Sequence, residues 1–75
     1  MIDISKLSVG SKVHYQPEHY GNNKWENGVV KEIRHPDGVW VVYNCDGNWD
    51  RFWDYTGAKT NLRDLGMGWQ GRISL

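Results

Sequence analysis

The stretch WENGVVKEIRHPDGVWVVYNC, residues 25–45, decides the reading of this chain. Its first half, residues 25–34, places Trp25, Val29 and Ile33 at one parity. A spacing of four also suits a helix, but Asn27-Gly28 and the paired valines favour a strand, with Gly28 marking a bulge or bend. His35-Pro36-Asp37-Gly38 follows. Proline presets the turn and glycine supplies positive φ, so the segment predicts a hairpin. The returning strand, residues 39–45, is apolar on both faces: Val39, Val41, Tyr43 and Cys45 on one, Trp40 and Val42 on the other. A strand covered on both sides is central in its sheet, or its second face binds something.

Working outward, residues 11–16 alternate, with Val13 and Tyr15 against Lys12 and His14, and Pro17 ends the run. The preceding SKLSVG, residues 5–10, reads as a turn into this first strand, and the polar residues 18–24 read as an exposed loop. Downstream, Asp46-Gly47-Asn48 is a tight turn. Residues 49–55 then alternate Trp49, Arg51, Trp53 and Tyr55 against Asp50, Phe52 and Asp54, which predicts another strand. Residues 56–59 read as a loop, and TNLRDL, residues 60–65, as one helical turn capped by Thr60 or Asn61. Gly66, Gly68 and Gly71 break regularity around Trp69, and the tail is left to add a last short strand. Four to five short antiparallel strands with tight turns predict an all-β fold, a closed or half-open small barrel, in a single domain over residues 1–75.

A chain this short buries only about 60% of its unfolded surface, so bulky aromatics or self-association must supplement the core. Ten aromatic residues, five of them tryptophan, exceed what one such core hides. Some indole faces therefore line a groove, a ligand cage or a subunit interface, and a homo-oligomer would cover them. Nine basic residues balance nine acidic ones, which excludes a net field drawing the chain to nucleic acid or an anionic membrane and leaves only a local patch. Cys45 is the single cysteine, so no intrachain disulfide forms, which suits the cytoplasm. The first ten residues do not read as a signal peptide, and no apolar run approaches the roughly 20 residues of a membrane helix.

The succession Gly10-x-x-Val13, Gly28-Val29-Val30 and the turn NLRDL at residues 61–65 resembles SH3-like barrels of the Tudor and chromo-like type, over residues 9–65. A narrower pattern runs Tyr43-Asn44-Cys45, a glycine turn, Trp49-Asp50, Asp54-Tyr55-Thr56, Leu62-x-Asp64-Leu65 and Gly68-Trp69. It looks like a group of small phage and bacterial proteins. That resemblance implies a phage or mobile-element setting, in a host cytoplasm, and carries no activity with it.

Several chemical patterns fail on inspection. On a strand, Asp50 and Asp54 would lie about 13 Å apart at ~3.3 Å per residue, beyond the roughly 10 Å of paired glycosidase carboxyls. DGNWD, residues 46–50, opens like a calcium loop, but Arg51 stands where glycine is needed and Gly57 where the bidentate glutamate belongs. His14, His19, His35 and one cysteine give no tetrahedral zinc set. Cys45 with His14 as base is the remaining nucleophile pair, against which stands the inertness of buried strand cysteines. Phosphate-loop signatures are absent, and no cofactor is expected. KEIR, residues 31–34, with Lys12 and Lys24, reads as a solvated face or a small basic patch.

The expectation is a non-enzymatic binding protein. Trp40, Tyr43, Trp49, Trp53 and Tyr55 would either fill the barrel and its rim or form a cage that stacks on a small planar or nucleotide-like ligand. In the second case Arg51, Lys59 or Arg63 would meet a phosphate, and Asp50 or Asn44 would bond a base or sugar. Sequestering a host signalling nucleotide would follow. The alternative is a Tudor-like module taking a cationic side chain of a protein or peptide. A third reading is nucleic-acid binding through the barrel face.

Overall fold

The computed structural model describes residues 4–34 and 38–71. In chain order these form the 3-10 turn η1 (Ile4–Lys6), β1 (Lys12–Tyr15), η2 (Glu18–Tyr20), β2 (Glu26–Arg34), β3 (Gly38–Val42), η3 (Trp49–Asp54), β4 (Ala58–Thr60), η4 (Leu62–Asp64) and β5 (Leu65–Met67). The five strands make one antiparallel sheet in the order β4-β3-β2-β1-β5. β3 is thus an inner strand, as its two apolar faces require.

Chain length forces this sheet to curl. In a flat sheet β4 and β5 would lie four strand spacings apart, about 19 Å. Only the five steps from Thr60 to Leu65 connect them. Fully extended, those steps reach at most roughly 18 Å, and η4 shortens them further at about 2 Å per residue. The edges therefore approach each other, and the result is an SH3-like small barrel. Asn61 caps the closing turn by accepting from the Arg63 N–H at 3.0 Å. Gln16 N–H donates to the Asp64 carbonyl at 2.8 Å, which ties η4 to the end of β1. Inside the barrel Leu7, Val13, Val30, Val39, Val41 and Leu65 form the core, with Tyr15, Ile33, Tyr43 and Leu62 against it.

The expected faces of the second strand need correction. Val29 pairs with Val42 and Val30 with Val41, but the next pair is Glu32 with Trp40. Lys31 is the extra residue of a bulge. Beyond it every side chain changes face. Ile33 consequently packs inside, whereas Val29 joins an outer cluster. The bulge is not at Gly28, which is an ordinary strand position where backbone and side chains approach closely. It pairs in register with Val13, and a Cβ there would stand 2.6 Å from Val41 Cγ1 and 2.8 Å from Tyr43 Cδ1. The expected turn at His35-Pro36-Asp37 lies outside the described residues, and Arg34 pairs with Gly38 across it.

The largest departure is at residues 49–55, which form η3 and no strand. Asp46 (φ 53°) and Gly47 (φ 83°) are both left-handed, and the chain beyond them enters η3 instead of pairing with β3. Trp49, Phe52 and Tyr55 all pack on the cluster of Val29, Val42 and Cys45, outside the barrel. Their spacing is three, carried by two short 3-10 turns that meet at a kink at Arg51 (φ −133°, ψ 31°), with Tyr55 extended just beyond the second. The alternation by two was the wrong period. Cys45 accordingly lies with Val42 and not with Val39 and Val41. The free edge of β3 is taken by β4, so the expected loop at residues 56–59 ends in a strand. The polar loop at residues 18–24 contains η2, and the last strand begins at Leu65, before Trp69. Residues 68–70 then strap the outer face: Trp69 Nε1 donates to the Gly28 carbonyl, and Gln70 exchanges bonds with Asn27.

Candidate functional site

Concavity is concentrated where η2 faces η4. A cleft of about 560 Å³ is lined by Tyr15, Pro17, Glu18, His19, Arg63 and Asp64. One end continues past Gln16, Gly21 and Asn22. The other runs along Glu26, Tyr43, Ala58, Lys59, Thr60 and Asn61. Asp64 lines all three parts, which adjoin at this residue and are together called the groove.

Local sequence builds each wall. Pro17 (φ −68°) stops β1 and starts η2, whose first turn closes with Tyr20 N–H on the Pro17 carbonyl. Gly21 (φ 68°) ends it. The aromatic floor is a chain of edge-to-face rings, Tyr43 to Tyr15 at 6.0 Å and Tyr15 to Tyr20 at 5.5 Å. Tyr43 Oη is 2.8 Å from Thr60 Oγ1, and burial pushes its phenol up to about 12 against the opposing effect of that hydrogen bond. Tyr20 Oη donates to Glu26 Oε2 at 3.0 Å, and this bond raises the Tyr20 pKa. Lys24 Nζ lies 4.4 Å from the Tyr20 ring centre.

The charges of the groove are left unmatched. Among the described residues, the carboxylates of Glu18 and Asp64 and the guanidinium of Arg63 have no hydrogen-bond or ion-pair partner. Asp64 is half-buried, whereas Glu18 and Arg63 are exposed. A half-buried carboxylate without a donor is open to a cation that brings one.

The aromatic residues expected to form a cage are distributed over three places. Trp40 is half-buried on the outer face of β3, with Arg34 and Lys59 over its ring at 5.1 and 5.8 Å. Trp49 is half-buried and sits edge-on to Trp69 at 5.0 Å. Trp53 is 57% exposed and touches Phe52. Tyr55 is half-buried and accepts from Asn48 Nδ2 through its hydroxyl at 3.0 Å. Tyr43 alone of the five reaches the groove. Of the polar candidates, Asn44 accepts from Asp46 N–H, Arg51 pairs with Asp54 at 3.3 Å, and Asp50 is exposed. Lys59 and Arg63 both line the groove. Because Asp50 and Asp54 sit on η3, the strand spacing of about 13 Å does not apply to them.

Tyr15, Pro17, Glu18, Glu26 and Asp64 were missed. YQPEHY, residues 15–20, carried the signal, since two tyrosines and a proline flank what was read as a merely polar loop. Cys45 is 1% exposed in the outer cluster, and His14 Nδ1 is held 2.8 Å from the Gly68 carbonyl, so both serve packing. Among the described residues no group of three His, Cys, Asp or Glu is placed to hold a metal ion. Comparison of this chain with protein-family models, curated proteins and solved structures found no match.

Proposed function

We propose that this chain is a non-enzymatic binding module whose groove takes a cationic side chain of a protein or peptide partner. The observation that carries this reading is the unpartnered, half-buried Asp64 carboxylate at the junction of the groove, beside the Tyr15 ring. A lysine or arginine entering there meets Asp64 with its charge and Tyr15 with its stem. Glu18 supplies a second carboxylate at the rim. The chain supplies an internal precedent, since the Lys24 ammonium already rests on the neighbouring Tyr20 ring. A nucleotide cage drawing on Trp40, Trp49, Trp53 and Tyr55 together has less support, because among the described residues no ring contact joins any two of the four.

Short extended peptides carrying one lysine, one arginine or one norleucine at a fixed position test the reading by titration calorimetry. Binding of the cationic peptides, absent for norleucine and weakened about tenfold by Asp64→Asn, is the expected result. Equal affinity for all three peptides, or undiminished affinity in the Asp64→Asn variant, would sink it.

A further inference from the structure

The outer face of the sheet carries a different kind of surface. The bulge at Lys31 puts Glu32, Trp40 and Lys59 on this face in a cross-strand row, Glu32 opposite Trp40 and Trp40 opposite Lys59. The neighbouring outward position of β3, Val42, is buried beneath η3 with Phe52 and Cys45. That cover stops short of Trp40, which remains part-exposed.

Three cations surround this indole. Arg34 and Lys59 lie over its ring at 5.1 and 5.8 Å. Lys31 runs beside it at Gly57, where a Cβ would stand 3.1 Å from Trp40 Cβ and 3.5 Å from Lys31 Cδ. Glu32 is the carboxylate of the row, and it is paired to Arg34. Lys31 spends its ammonium on the Tyr55 carbonyl, a neutral acceptor, and Lys59 has no carboxylate partner among the described residues. Among the described residues, three positive charges against one negative leave a local excess on a chain whose total is zero.

We propose that this face is a second binding site, which shares only Lys59 with the lining of the groove, for a nucleobase that carries phosphate. An indole offers a stacking surface to any base, and flanking lysine and arginine neutralise the phosphate that accompanies it. Both flanking side chains now rest on the ring. They are long and exposed, so a base displaces them from the indole and the phosphate collects them. The same chemistry is presented by a free nucleotide and by a single strand. Glu32 disfavours bare inorganic phosphate, which brings charge and no ring to stack.

Intrinsic fluorescence titrated with a nucleoside, its 5′-monophosphate, inorganic phosphate and a short single-stranded oligonucleotide tests the proposal. Trp40→Leu and Lys59→Gln are compared with the parent, and circular dichroism verifies their folding. The expected result is saturable binding of a phosphate-bearing base, weakened at least tenfold by either substitution and unchanged by Asp64→Asn. Tight binding of the monophosphate assigns a free nucleotide. Binding of the oligonucleotide alone, falling steeply with salt, assigns a single strand. Binding of neither overturns the proposal, as does binding of the nucleoside as tightly as its monophosphate. Should the Trp40→Leu variant fail to fold, Lys59→Gln, exposed and without a carboxylate partner, decides alone.

Discussion

The groove at Tyr15 and the outer face at Trp40 use one vocabulary, aromatic rings beside charged side chains, in different proportions. Around Tyr15, Tyr20 and Tyr43 stand the carboxylates of Glu18, Glu26 and Asp64, with Lys24, Lys59 and Arg63 among them. Around Trp40 stand Lys31, Arg34 and Lys59, with Glu32 as the carboxylate of the row. The groove therefore mixes both signs, whereas the described side chains around Trp40 are mainly cationic. The geometry differs as well. The groove is concave because a 3-10 turn stands on each side of it, whereas Trp40 lies on a strand face and stays open because η3 covers only the adjoining valine pair. These charges are brought together by the closing of the barrel, since residues 15–26 and 60–64 meet on one side while Glu32, Trp40 and Lys59 share a cross-strand row on another.

The strongest way to break the contrast is to stop the barrel from closing. Gly28→Val would drive a side chain into Val41, Tyr43 and the Val42 carbonyl, all within 2.8 Å of the new Cβ. We expect a loss of about 3 kcal/mol in urea denaturation, at the upper end of overpacking costs, and the disappearance of both surfaces at once.

Next in size is Phe52→Ala. Phe52 is the buried residue of η3, and its removal empties the outer cluster. A cost of about 3 kcal/mol follows from burial of this kind. Here the two regions should separate: hydrogen exchange should rise at Val29 and Val42 while amides at Val13 and Val39 keep their protection. Equal loosening of both clusters would show that the outer one is no independent layer.

A crossed pair of charge substitutions sharpens the comparison at smaller cost. Asp64→Asn and Lys59→Gln should each leave stability within about 0.5 kcal/mol, since neither charge has an ionic partner among the described residues. Asp64→Asn should weaken cationic peptides by about tenfold and leave phosphate-bearing bases unchanged. Lys59→Gln should weaken the bases by about tenfold, and because it removes a positive charge from the groove lining it should not weaken the peptides. Loss of peptide binding in Lys59→Gln, or of base binding in Asp64→Asn, would merge the sites into one.

A separate effect is set by pH. Tyr43 titrates near 10 in the unfolded chain and near 12 in the barrel, because burial favours its neutral form. Between those values the folded state holds the proton and the unfolded state has released it, so stability is full below pH 10 and falls as pH rises towards 12. Melting temperatures of the parent should drop across that window, and those of Tyr43→Phe should drop less.

Much of this architecture was legible in one dimension. The alternation at Val13 and Tyr15, the apolar run from Val39 to Val42 and the Asn61 cap are local signals, and each reappears in the structure. Spacing at residues 49–55 was ambiguous, because two alternating rows and one row of period three share the same letters. Only the demand of Val29 and Val42 for cover selects Trp49, Phe52 and Tyr55 over Trp49, Arg51 and Trp53. The bulge at Lys31 was hidden for a related reason. A single inserted residue has no composition of its own, yet it sends Ile33 inward and Glu32 outward.

Taken alone, the residue pattern settled that this chain forms short antiparallel strands, a capped closing turn and an excess of aromatic surface, since propensity, periodicity and capping act between near neighbours. Which aromatic residues meet which charges was decided by closure. Tyr15 and Asp64 lie 49 positions apart in the chain, and Trp40 and Lys59 lie 19 apart. No local rule relates them, and they become neighbours because four residues between β4 and β5 are too few to span an open sheet.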